Sequence, residues 1–159
     1  MVGRLENLKK EYSKLAAKYK LPEYRLLNEE FDIEKAQELE TDTLLREIRK
    51  VIMDKVIAYL RFVELLLNPS NAPMFFFAIL KGVDSADKKV LEETYSNLGK
   101  LEIQVIGVDN DYSERNEAEF IKHIFCEWKG IKDNMRQVSK ALQKGWDRKS
   151  EKKDKCYLS

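Results

Sequence analysis

From Leu44 to Leu67 the apolar residues return every three or four positions, and this pattern constrains the fold more than any other. Leu44, Ile48, Val51, Ile52, Val56, Tyr59, Leu60, Val63, Leu66 and Leu67 keep a helical period, which lines them along one face. Lys50, Asp54, Lys55, Arg61 and Glu64 interrupt that face, so the segment is not a membrane span. Asn68-Pro69 ends it, because proline cannot continue a helix interior. A helix of ~25 residues is ~37 Å long.

The same signature recurs on both sides. Leu5, Leu8, Tyr12, Leu15 and Tyr19 alternate steps of three and four and predict a helix from about Gly3 to Lys20. Pro22 stops it by pushing its predecessor out of the α region and fits the first position of the next element. Tyr24, Leu27 and Phe31 fit a short helix, and Asp32 is placed to cap another through Ile33, Ala36 and Leu39. Val90, Thr94, Leu98, Leu101, Val105, Val108 and Tyr112 line one face of a helix capped by Asp84 or Ser85. Leu101, Ile103 and Val105 also alternate as a strand would, but the longer seam favours helix despite Gly99 and Gly107. Asp109 to Asp111 reads as a turn. Ile121, Ile124, Trp128, Ile131, Met135, Val138 and Leu142 then mark a helix from about Ser113 to Trp146.

Seams of this spacing match the shallow crossing angle of helical bundles. Only 6 Gly and 3 Pro in 159 residues agree with helix over sheet. The expected fold is all-α: an elongated antiparallel bundle of five or six helices. One domain over residues 1–147 and a mobile charged tail over 148–159 are expected.

The side-chain inventory excludes much chemistry. His123 is the single histidine, so sites needing two His ligands from one chain are out. It reads as a structural helix residue, partly exposed. Asp109-x-Asp111-x-Ser113 opens like a calcium loop, but Glu114 stands where the loop needs glycine and Phe120 where it needs a bidentate carboxylate. Ser113 as a helix cap is the better account. The carboxylates Glu29, Glu30, Asp32, Glu34, Glu38, Glu40 and Asp42 have polar neighbours and read as a solvated acidic face. No phosphate-binding loop or nucleophile elbow occurs. Cys126, inside an apolar helical pattern, and Cys156 form no disulfide framework, which implies reduced thiols. No catalytic residue, metal ligand or cofactor site is expected.

Two surfaces remain as candidates. Met74 to Leu80 is apolar at seven consecutive positions between Pro73, suited to a first helical turn, and Gly82, suited to a position just past a helix end. Such a helix either is wrapped completely or presents Met74, Phe75, Phe76 and Phe77 as an interface. Charge supplies the other candidate. Residues 1–25 carry +4, residues 26–42 carry −6 and residues 144–159 carry +3, within a total of +1. Lys9, Lys10, Lys14, Lys18, Lys144, Arg148 and Lys149 are the candidate anion-binding set, although solvated helix faces are the better account of such runs. Cys156-Tyr157-Leu158-Ser159 also matches a prenylation box below Lys152, Lys153 and Lys155, which in a eukaryote means membrane anchoring.

Leu21-Pro22, Phe31-Asp32-Ile33-Glu34, Leu45-Arg46-Glu47-Ile48-Arg49, Asn68-Pro69, Ala72-Pro73-Met74-Phe75-Phe76 and Glu117-Ala118-Glu119-Phe120-Ile121 through Trp128 resemble an uncharacterised archaeal family of about this length. The resemblance covers most of the chain, implies no activity, and makes the C-terminal box accidental. The leading expectation is a cytoplasmic, non-enzymatic helical scaffold or adaptor acting through protein contacts, with a homodimer suspected. The alternatives are an RNA- or ribonucleoprotein-associated factor using the basic ends, and an enzyme whose site one sequence does not reveal.

Overall fold

Local chemistry at the helix ends sets the order of elements. A computed structural model describes residues 3–38 and 43–157; side chains at 37, 38 and 149–157 are not described. Within these residues lie α1 (Arg4–Tyr19), α2 (Tyr24–Phe31), a 3-10 segment (Ile33–Glu38), α3 (Leu44–Leu67), a 3-10 turn (Pro69–Asn71), α4 (Met74–Leu80), α5 (Ser85–Asn110) and α6 (Glu114–Tyr157). No strand occurs among the described residues, so the chain is all-α and the 101–108 segment is helix.

Each boundary has a cause. The α1 helix closes at Lys20, whose left-handed φ of 57° turns the chain so that the Leu21 N–H reaches the Ala16 carbonyl at 3.1 Å. Pro22 does not start α2, which begins at Tyr24; its carbonyl instead accepts the Tyr12 hydroxyl at 2.6 Å. Asp32, expected to cap a new helix, terminates α2 in the left-handed region at φ 55°. Asn28 takes over the capping, its side-chain oxygen accepting the Glu34 N–H at 3.0 Å. The predicted turn at 109–111 falls later, since α5 runs through Asn110. Ser113 caps α6 by accepting the Asn116 N–H at 3.0 Å. Asp84 and Asp87 cap α5 reciprocally at 2.8 and 3.2 Å. The α6 helix passes its expected end at Trp146 and runs to Tyr157.

The described residues form two compact units, and α3, α5 and α6 contribute to both. The first comprises residues 1–58 and 100–128. Its core is built from Tyr12, Leu27, Ile33, Ile48, Ile52, Leu101, Ile121 and Ile124, all at most 2% exposed. Inside it lies an ion pair absent from the sequence expectations. Arg49, 3% exposed, donates to both carboxylate oxygens of Glu117, 0% exposed, at 2.8 and 2.9 Å, and to Asp109 at 2.5 Å. Both residues sit on apolar faces. Glu117 lies one turn before Ile121, and Arg49 one turn before Ile52 and Met53. A bidentate guanidinium–carboxylate pair is the arrangement that makes such burial tolerable.

The second unit comprises residues 59–99 and 129–159. Leu91, Leu98, Ile131 and Val138 are buried in it. Here Gly82 is needed for proximity rather than for a left-handed φ, which no glycine adopts. A Cβ at Gly82 would lie 1.9 Å from the Ala141 carbonyl oxygen, and one at Gly145 would lie 2.3 Å from the Ile79 carbonyl oxygen. The end of α4 therefore rests on the backbone of α6.

Two outcomes follow for thermal melts. Gly145→Ala lowers stability by about 1–3 kcal/mol, because backbone must move to admit the methyl. Gly99→Ala, with nothing within 4 Å of its Cβ, raises stability by about 0.5–1 kcal/mol through helix propensity. For the buried pair, Arg49→Met costs about 3–5 kcal/mol, since Glu117 is left unpaired. Adding Glu117→Leu recovers most of that loss. A double variant no more stable than the single one contradicts this account.

Candidate functional site

The α4 helix is covered unevenly along its length, because α6 approaches it closely only at its C-terminal end. Ala78 and Ile79 are buried at 6% and 3% exposure. Phe76 is half-buried and touches two rings, Phe62 at 5.7 Å and, edge-on, Phe75 at 5.9 Å, so it borders the exposed residues. Met74, Phe75 and Phe77 remain outside at 83%, 50% and 49% exposure. Trp146, 40% exposed, joins them, its ring 5.4 Å from Phe75. Sequence reasoning placed Trp146 at a helix end and missed this role. Its position directly after the Gly145 contact brings it beside α4.

Cations border this aromatic surface. Lys81 follows Phe77 by one helical turn and is exposed. Arg148 donates weakly to the Lys81 carbonyl at 3.5 Å, which places its guanidinium at the same end of α4. Lys144 is exposed and helps lower the Asp84 carboxyl pKa, whose main cause is the hydrogen bond from the Asp87 backbone.

The other candidate anion-binding residues are in the first unit and partly engaged. Lys14 pairs with Glu11 at 3.2 Å. Lys18 pairs with Glu114 at 3.3 Å, beside the Tyr19 hydroxyl, which donates to the same oxygen at 2.6 Å. Lys9 sits over the Tyr24 ring at 5.7 Å. Lys10 is exposed, and the Lys149 side chain lies outside the described residues. The Cys156 side chain lies there too. His123 and Cys126 are both exposed, so the apolar pattern around Cys126 does not bury it.

Of the acidic run expected as a solvated face, Glu30 has structural work, and the side chains of Glu38, Glu40 and Asp42 lie outside the described residues. Glu30 accepts the Trp128 indole N–H at 3.1 Å, and Lys55 donates to its backbone carbonyl. Among the described residues, no three of His, Cys, Asp and Glu gather as a metal ion would require. A cavity of about 320 Å³ in the second unit is lined by Leu66, Leu67, Leu80, Val83 and Leu91, with Asp84, Ser85 and Lys88 at its edge. Asp84 there is committed to the α5 cap. Among the described residues no helix is long and apolar enough to cross a membrane. Compared with known proteins, the chain matches no family model, no curated protein and no solved structure.

The Lys18–Glu114–Tyr19 cluster generates a pH expectation. The Tyr19 hydroxyl first, and Lys18 with it, holds the Glu114 carboxyl below its ordinary pKa. A depressed folded-state pKa adds stability above the unfolded carboxylate range and loses it as pH falls through the folded value. Glu114→Gln therefore lowers the melting temperature at neutral pH and leaves it unchanged once both states are protonated. Melts across the acid range check this: the wild-type advantage must vanish at low pH.

Proposed function

We propose that this chain is a non-enzymatic helical scaffold that works through protein–protein contact, and that Met74, Phe75, Phe77 and Trp146 form its contact surface in a homodimer. The observation carrying this reading is the exposure of four large apolar side chains, at 40–83%, three in the first turn of α4 and one on α6, with the Phe75 and Trp146 rings 5.4 Å apart. Isolated exposed apolar residues are ordinary, whereas a contiguous aromatic group rimmed by polar residues is characteristic of interaction sites. Burying one phenylalanine is worth about 1.5–3 kcal/mol, so covering two of them with a tryptophan is a substantial drive to associate. The surface is also seated firmly, because α4 rests on α6 at backbone distance. Little ordering is then required on binding.

A second reading, an RNA-associated factor, draws on one observation: the unit carrying the aromatic surface has fourteen basic and nine acidic side chains. Exposed rings beside cations stack unpaired bases. Salt-sensitive retention of single-stranded RNA favours this reading over self-association.

Light scattering tests the main reading. The wild type is expected to be a dimer at tens of micromolar. Phe75→Glu is expected to be a monomer with an unchanged circular dichroism spectrum. Phe76→Glu is expected to unfold the α4 region, because that ring faces Phe62. A monomeric wild type contradicts the proposal.

A further inference from the structure

We infer that the cavity where α3, α4 and α5 meet is a binding site for a small carboxylate with an aliphatic body. This goes beyond the self-association reading and does not rest on it, because Met74, Phe75, Phe77 and Trp146 are not among the residues lining the cavity.

The walls come from helix ends and one short connector, all within the second unit. Leu66 and Leu67 close α3, Leu80 closes α4, Val83 lies in the connector, and Leu91 follows in the second turn of α5. Leu66 and Leu91 are 4% and 1% exposed, and the other three are half-buried. These five side chains are aliphatic, and among the described residues no aromatic ring lines the space. Its volume of about 320 Å³ is at the low end for small-molecule sites, roughly 300–1,000 Å³. At roughly 30 Å³ for each water in the liquid, it admits about ten water-sized groups. Aliphatic walls offer those waters no hydrogen bonds, so an alkyl chain is the better occupant.

The polar edge selects the head group. Asp84, Ser85 and Lys88 border the cavity from the start of α5, with Lys88 four residues after Asp84 and three after Ser85, on the same side of the helix. The charge of Asp84 is already met. Its carboxylate accepts the Asp87 N–H at 2.8 Å, and Lys144 is within electrostatic reach of it. Lys88 is exposed and has no ion pair among the described residues. The uncommitted charge at this edge is therefore a cation, and the Ser85 hydroxyl adds a donor beside it. An alkyl carboxylate matches both parts: its chain lies against the leucines and Val83, and its anionic end meets Lys88.

Isothermal titration calorimetry on the full chain with linear alkanoates tests the inference. Affinity is expected to rise about fourfold per methylene from butanoate to octanoate, the factor that burying one methylene supplies, and to level off once the cavity is full. Octanoate is expected to bind about three- to fivefold more tightly than octanol, the gain from one exposed ion pair. Octylamine is expected to bind more weakly than octanol. Lys88→Gln is expected to abolish the preference for octanoate and leave octanol binding unchanged. Val83→Phe fills the cavity and is expected to abolish binding of both. Phe75→Glu, outside the cavity, is expected to leave octanoate binding as in wild type. It thereby separates this inference from the self-association reading.

Several results overturn the inference. Absence of octanoate binding at millimolar concentration does so directly. Binding that survives Val83→Phe in a folded variant, or that Phe75→Glu abolishes, puts the alkyl chain elsewhere on the molecule. An octanoate preference that survives Lys88→Gln removes the assigned head-group partner. If circular dichroism shows Val83→Phe to be unfolded, the exposed Lys88→Gln variant and the chain-length series decide the matter.

Discussion

Much of the surface chemistry depends on one backbone contact, the seating of α4 on α6 through Gly82 and Gly145. A seven-residue helix with apolar side chains all round has no polar face to offer water. Resting one side of it on another helix at backbone distance buries Ala78 and Ile79 and turns Phe76 onto Phe62. The same contact leaves Met74, Phe75 and Phe77 outside and brings Trp146 beside them. Any side chain at either glycine would lift α4 from α6 and disturb all of these relations. The exposed apolar surface is thus a geometric consequence of close packing at the other end of one short helix.

Electrostatics operate at two levels. Inside the first unit, Arg49 and Glu117 satisfy each other, and Asp109 takes the remaining guanidinium contact. A buried pair of this kind adds little net stability compared with apolar residues of the same volume, but each partner is costly to remove alone. On the surface, pairs such as Lys14–Glu11 and Arg136–Asp133 are solvent-exposed and add little.

The sequence disclosed elements governed by local rules. Leu44–Leu67 was legible because period, charge placement and Asn68-Pro69 all agree. Ser113 and Asp84 were legible as caps because capping uses residues within one turn. Asp32 was misassigned because an aspartate also tolerates the left-handed region, and Asn28 competes for the capping position. Gly82 was expected near a helix end for its backbone freedom, whereas its reason lies in Gly145, sixty-three positions away. The Arg49–Glu117 pair had a readable trace, two opposite charges on apolar faces, but a single charged residue on a seam is usually solvated. Only the fold shows that the two meet. Likewise, Ile103 and Ile106 fell off the main seam of α5 and gave no sign of remaining uncovered.

The most direct measurement is protection of the exposed apolar surface by association. Met74→Cys, on a background of Cys126→Ser and Cys156→Ser, is labelled with a thiol reagent over a range of protein concentrations, with Lys10→Cys on the same background as the control. The account predicts that labelling at position 74 slows as concentration rises into the dimer range while labelling at position 10 does not change. Labelling at position 74 that is independent of concentration would contradict it.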